Sequence, residues 1–266
     1  IKSISQPSPS FDGKPVETGD HFYLRVSERL RHKDRAITIW DYERLVLEAF
    51  PSIHRVKCVN HTKYIDADYN EIAPGYVTVI TIPDLVNRND ANPLRPYTNA
   101  DVLTQIQDYL QQRISCHINL NVRNPKFEEV RLEFSLKLLP GYEFNYYSNL
   151  LKNSITAYLT PWAYGQSDDV QFGGKVEKSS IIYFIEQQSY VDYITDVKMY
   201  QRIQEGGPES NDADEIVAST AISILVSAPA SKHVINEITD STIGPQTITC
   251  VDTYNNTSRV ITENTD

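Results

Sequence analysis

Hydrophobic and polar positions along the chain change period several times, and each change marks an element. Residues 1–19 mix Pro, Ser and Gly without a period and read as a tail or connection. Phe22, Val26 and Leu30 then fall on one helical face. A second helix is better marked. Thr38 and Asp41 form a T-x-x-D capping box in which each side chain meets a free backbone N–H. Tyr42, Leu45, Val46 and Ala49 supply the helical stripe, and Pro51 stops it. "SIHRVKCVN" and "GYVTVITIP" read as strands joined by a polar loop from Asp66 to Gly75. The segment "NRNDANPLRPY", with two prolines, marks a domain joint.

Thr98 and Asp101 repeat the capping-box spacing ahead of a third helix, whose buried face holds Val102, Ile106, Tyr109, Leu110 and the stem of Arg113. Two strands follow. Ile118, Leu120 and Val122 alternate with polar residues. After the turn "RNPK", Val130, Leu132, Phe134, Leu136 and Leu138 alternate without a break. That period of two implies a sheet with one wet face. A fourth helix carries Tyr147, Leu150, Leu151, Ile155 and Tyr158 on one side and closes at Pro161. "SSIIYFIEQQS" fits a short helix or a strand and is assigned as helix, capped by Ser179 or Ser180. "YVDYITDVKMY" is a strand, "QEGGPESNDADE" a flexible acidic break, and "AISILVSA" the start of a β-rich tail.

Strands and helices thus mix without regular βαβ alternation, which predicts an α+β fold. The expected organisation is two small mixed α/β modules in series, at 20–97 and 98–205. A tail at 1–19 precedes them, and an acidic break with a short β-rich C-terminal tail follows at 206–266.

Composition narrows the function. The 266 residues carry a net charge of −10, which argues against nucleic acid, because phosphate binding needs clustered Lys and Arg. The one dense basic stretch, "RLRHKDR", reads as a helix end whose cations suit the negative pole of the dipole. No apolar run approaches the roughly 20 residues of a membrane helix, so no membrane insertion is expected. Cys58, Cys116 and Cys250 make neither a disulfide framework nor a paired metal motif, and read as reduced thiols of cytoplasmic origin. The chain starts at Ile1 rather than Met, so upstream sequence is expected.

Sites of chemistry fail on inspection. Gly173-Gly174-Lys175 lacks the remaining glycine, the Ser or Thr and the preceding strand of a phosphate loop, and reads as a turn. "DADYNE" begins like a calcium loop, but Glu71 replaces the bend glycine and Val77 stands where a bidentate Glu belongs. The six histidines never pair at metal spacing, and there is no G-x-S-x-G. The sequons at Asn60, Asn255 and Asn256 carry no meaning for a cytoplasmic chain. No cofactor, metal or catalytic residue is assigned.

What stands out is aromatic surface potential: seventeen tyrosines against eight phenylalanines, clustered at "FNYY", "PWAYG" and "YVDY". Tyr and Trp suit covered surfaces, where the ring buries area and the polar edge keeps a hydrogen bond. Trp40, Tyr42, Trp162, Tyr164 and Phe172 are the candidate anchors, with Trp40 and Tyr42 leaning to the core and the loop trio to contact. The loop "TPWAYGQSDDVQFGGK" reads as a contact loop whose glycines are bends. A rival from another class is a carbohydrate-binding or adhesin-like module, in which exposed rings stack on sugars.

The ordered segments resemble a known family. "HKDRAITIWDYERLVLEAFPSIHRVKC", "VLTQIQDYLQQRIS", "INLNVRNPKFEEVRLEFSLKLLPG", "LKNSITAYLTPWAYG" and "VQFGGKVEKSSIIYFIEQQSYVDYI" are together similar to baseplate J-like proteins, over about His21 to Ile235. "ISILVSAPASKHVI" is similar to the tail of versions from contractile injection systems. The resemblance implies the C-terminal part of a non-enzymatic wedge protein of a phage-tail-like particle. Its partners would be copies of itself, smaller wedge subunits, the central hub and the sheath. Such proteins are assembled in the bacterial cytoplasm, can be released with the particle, and help the baseplate widen on contraction.

Overall fold

The structure, a computed structural model, describes residues 16–65, 68–84, 92–164 and 170–239. It is an α+β fold that divides into two compact units. The first holds the described residues up to Glu128 with those of Thr160–Gly174 and Val217–Val226. The second holds Glu129–Leu159, Lys175–Ile216 and the described residues from Ser227 on. Each unit is assembled from three stretches of chain, so this division follows other boundaries than the serial modules expected at 20–97 and 98–205.

In the first unit, α1 (Gly19–His32) starts at Thr18, whose side chain accepts the His21 N–H. It ends at Lys33 in the left-handed conformation, φ 49°, with basic Arg29, Arg31 and His32 in its last turn. "RLRHKDR" is therefore a helix end. On the face that the spacing marks, Phe22 and Leu30 are exposed and Val26 is half-buried, and the buried residue of α1 is His32. Helical spacing specifies a stripe, and something must cover the stripe before it becomes a core.

α2 (Ile39–Ala49) has the full capping box, with Asp41 N–H donating to Thr38 and the Thr38 N–H donating to Asp41 at 2.8 Å. Its stripe buries Tyr42, Leu45 and Val46. β1 (Ile53–Asn60) follows, then a hairpin of β2 (Lys63–Ile65) and β3 (Asp68–Asn70), where a plain polar loop was expected. β4 (Tyr76–Pro83) pairs antiparallel with β1, from Asn60 opposite Val77 to Ile53 opposite Pro83. α3 (Ala100–Gln111) then leads to β5 (Asn119–Arg123), which lies parallel to β4 from Tyr76 opposite Asn119 to Ile80 opposite Arg123. The sheet order is β1-β4-β5, and β4-α3-β5 is a βαβ crossover. The sequence pattern did not announce it, because one crossover makes no alternation.

One face of this sheet is covered by α2 and α3. There Tyr42, Leu45, Val46, Ile106 and Leu110 meet Val56, Cys58, Val79, Leu120 and Val122. On the other face, Ile82 joins Phe127, Val170, Ile224 and Val226. Covered on both faces, β4 reads as a continuous apolar and threonine run. The cap of α3 is one residue later than its sequence implies. Asn99 accepts the Asp101 N–H, while Thr98 is drawn inward, its N–H donating to Asn124 Oδ1 at 2.8 Å and its hydroxyl 3.1 Å from that of Thr81.

β6 (Lys126–Leu138) runs through both units. Its alternation is real: Val130, Leu132, Phe134 and Leu136 are buried between half-buried Arg131, Glu133, Ser135 and Lys137. In the second unit, α4 (Phe144–Leu159) buries Leu151 and Ile155 but leaves exposed Leu150 and Tyr158, which the spacing put on the same side. β7 (Lys175–Glu177) precedes α5 (Lys178–Glu186), a helix as expected, with Glu177 and not Ser179 or Ser180 at its N-cap. β8 (Val191–Arg202) pairs antiparallel with β6. β9 (Glu215–Val217) joins β7, while β10 (Ser223–Ser227) belongs, up to Val226, to the first unit. β11 (Val234–Glu237) pairs parallel with β6 from Val234 opposite Glu133 to Glu237 opposite Leu136.

Candidate functional site

The loop singled out in the sequence begins as a single 3-10 turn, Pro161–Tyr164. Trp162 and Phe172 are partly buried, and both pack against the cluster of Ile82, Phe127, Val170, Ile224 and Val226 in the first unit. The buried Nε1–H of Trp162 has no hydrogen-bond partner among the described residues. The side chain of Tyr164 and residues 165–169 lie outside the described residues. The glycines act as bends. Gly173 has φ 62° and donates its N–H to Ser223 O at 2.9 Å, while Gly174 O accepts the Ala218 N–H at 3.0 Å. A phosphate cradle needs free amides, and that of Gly173 is engaged. Lys175 is paired with Glu177 at 2.7 Å and Glu215 at 3.0 Å, which raises its pKa to about 12 through hydrogen bonds to both carboxylates.

Trp40 is half-buried beneath two cations, with the Arg31 guanidinium 4.2 Å and that of Arg44 5.8 Å from its ring centroid. Tyr42 is 2% exposed in the core under α2. Burial first, and then the charges possible at Cys58 and Asp41, push its hydroxyl up to about 12. Trp40 and Tyr42 thus have different surroundings on α2, while Trp162 and Phe172 pack against one cluster.

Of the suspected calcium loop, Asp66, Ala67 and the side chain of Asp68 lie outside the described residues. Asn70 Oδ1 accepts the Ile72 N–H at 2.8 Å, and Glu71 Oε1 accepts the Tyr69 hydroxyl at 2.6 Å. Among the described residues no group of three or more His, Cys, Asp or Glu could hold a metal ion, and no helix is long and apolar enough to cross a membrane.

The acidic break is not loose in the structure. Glu209 takes Arg131 in a two-pronged pair at 2.8 and 3.0 Å and also receives Arg202 at 2.7 Å. Arg202 reaches Glu129 at 3.0 Å, and the Arg131 guanidinium lies 4.4 Å from the Tyr200 ring centroid. The hydrogen bond from Arg131 holds the Glu209 carboxyl below the usual range. Asp212 accepts the Met199 N–H at 2.8 Å and pairs with Lys178. Charge pattern alone cannot show this, since the arginines stand 78 and 7 residues from their partner.

What remains uncovered are apolar surfaces. On the first unit Tyr23 and Leu30 of α1 are 72% and 70% exposed, with Phe22, Leu24, Ile37 and Ile39 also exposed. On the second, Tyr146, Leu150 and Tyr158 follow one another at four- and eight-residue spacing along α4, and Tyr183 of α5 is 66% exposed. Tyr158 stacks on Phe184 with centroids 4.3 Å apart. The tyrosine bias signals such surfaces; helical spacing alone groups Leu30, Leu150 and Tyr158 with the stripes of their helices and does not say what covers them.

No curated protein matches the chain. Among solved structures, a chain of the anti-feeding prophage (AFP) baseplate, determined by cryo-EM with six-fold symmetrisation, superposes with a TM-score of 0.57 at 20% identity. The match covers 84% of this chain and 44% of that one, so this chain spans less than half the length of its structural relative, and the likeness establishes the fold. The family model described as "Baseplate protein PVC11-like" matches residues 1–226. With most of its length matched by that model, the chain belongs to the family of PVC11-like baseplate proteins.

Proposed function

We propose that this chain is a wedge component of the baseplate of a contractile injection system, within the wider baseplate J-like group. It works by packing against neighbours and by changing how it packs when the ring widens. The family match over residues 1–226 carries this reading. The fold shared with a chain of a six-fold symmetrised baseplate supports it, and so do the exposed apolar faces of α1 and α4, which are larger features than any scattered surface residue. Its partners are copies of itself, smaller wedge subunits, the hub and the sheath. Interfaces that are partly polar can hold a ring in one state and re-form in another, as rigid-body transitions do. Trp162, Tyr164, Phe172, Trp40 and Tyr42 remain its proposed aromatic anchors. The stacking of sugars on Trp162 and Phe172 has less support, because those rings pack on their own core.

The test is genetic. Particles are purified from cells lacking the gene and viewed by electron microscopy, with and without complementation by the full-length protein. The expected result is tubes and sheaths without a finished baseplate, restored on complementation. Complete, contraction-competent baseplates in the deletion strain would overturn the proposal.

A further inference from the structure

We propose that the groove between α3 and the outer edge of β5 takes an extended segment of another baseplate protein as a fourth strand of the β1-β4-β5 sheet. The inference rests on the baseplate reading and adds to it a surface and the chemistry of what fills it. Among the described residues β5 is the last strand of its sheet. Asn119 donates its N–H to Gly75 O at 2.8 Å, on the β4 side. Backbone groups alternate sides along a strand, so Asn119, Asn121 and Arg123 address β4, and Leu120 and Val122 turn their N–H and C=O groups outward. Two outward residues present four hydrogen-bonding groups. Edges of this kind are usually blunted by a proline, a bulge or a covering element. β5 has no proline, and its register with β4 is unbroken.

Beside that edge lies a groove of about 590 Å³. One wall is Ile118–Arg123, the other the face of α3 bearing Leu103, Thr104 and Gln107, with Ile65 of β2 at the side. Six residues of wall at about 3.3 Å each make a slot roughly 20 Å long, the length of a strand of five or six residues. Leu120 and Val122 face the α3 core, and Tyr76 pairs with Asn119 on the opposite face. A strand added here places alternate side chains towards Leu103 and towards Ile65, so its residues on both rows are apolar at the middle. Hydrogen bonds to the edge supply affinity and the two rows supply selection. Charge completes the description. The named α3 wall carries no ionised group, and Arg123 stands at one end of the slot. Its Nε donates to Asn121 Oδ1 at 3.2 Å, and it has no carboxylate partner among the described residues. The segment therefore carries an Asp or Glu at that end and little charge elsewhere.

Amide hydrogen exchange on the full-length protein, isolated at high dilution and in purified particles, tests this. The Leu120 and Val122 amides should exchange at least tenfold more slowly in the particle. Thr104→Trp, which fills the slot from the exposed side of α3, and Arg123→Glu, which reverses its end charge, should each lower incorporation into particles at least tenfold without moving the unfolding midpoint of the isolated protein. Equal exchange in both states overturns the proposal. So does slow exchange already in the dilute protein, which would mean that its own chain covers the edge. Slow exchange that appears on concentrating the isolated protein would assign the groove to a second copy and also overturn it. Should one variant unfold, the other and the exchange rates decide. A protein found in the particle with an unprotected β5 edge sinks this inference alone; a particle that never contains the protein sinks the baseplate reading with it.

Discussion

His233 offers the sharpest test of how the second unit is held. It is 1% exposed, between β10 and β11. Its Nδ1 accepts the Leu132 N–H at 3.1 Å, so the proton sits on Nε2, which is 3.0 Å from the Ser227 hydroxyl. That hydroxyl in turn donates to Ala228 O at 2.8 Å. A second ring proton would point at the Leu132 N–H. Burial lowers the pKa of His233 from 6.5 to about 4, aided by Lys152 and Arg131 and opposed by the Ala228 backbone and Glu129. The folded state thus binds its proton later than the unfolded state. Stability is full above pH 6.5, falls as pH drops towards 4, and levels off below that. The whole difference is worth about 3 kcal/mol, of which about 2 kcal/mol is lost by pH 5. His233→Asn keeps an acceptor for Leu132 but gives up the Ser227 contact, at a cost of about 1–2 kcal/mol at pH 7.5. Urea unfolding followed by circular dichroism at pH 7.5 and pH 5 compares the two proteins. The wild type should lose its advantage by pH 5. Parallel pH dependences would refute the assignment of His233 as a neutral pin.

Three further outcomes follow from packing and charge. Ile106→Ala, at a fully buried position of α3, should lower unfolding free energy by about 2–5 kcal/mol in denaturant titrations. Asn99→Ala should cost about 1 kcal/mol if Asn99 rather than Thr98 caps α3, read from the same titrations. Glu209→Gln leaves the half-buried Arg131 and Arg202 without their shared carboxylate; a loss of about 1–2 kcal/mol, shrinking as salt is raised, is expected.

Much of the fold was legible because its signals are local. α2 was readable from Thr38, Asp41 and a stripe within three turns, and β6 from five alternating residues. The surfaces were legible only in kind. A tyrosine-rich chain announces amphipathic rings, yet nothing near Leu30 or Tyr158 in sequence says whether a neighbour covers them. The acidic stretch looked loose for the same reason, since Arg131 lies far upstream of Glu209. Thr98 missed its expected role because Thr81 and Asn124, brought near by the crossover, compete for its polar groups.

By itself, then, the amino-acid order determined where the longer helices and strands run and which face of β6 is apolar, because those preferences act over one or two turns of chain. Only the tertiary structure decided that β5 lies parallel to β4 and, among the described residues, ends its sheet, that Glu209 clasps Arg131 and Arg202, and that α1 shows Phe22 and Leu30 to solvent. Each of these depends on distances between residues far apart in sequence, and those distances exist only once the chain has closed its loops and buried its core.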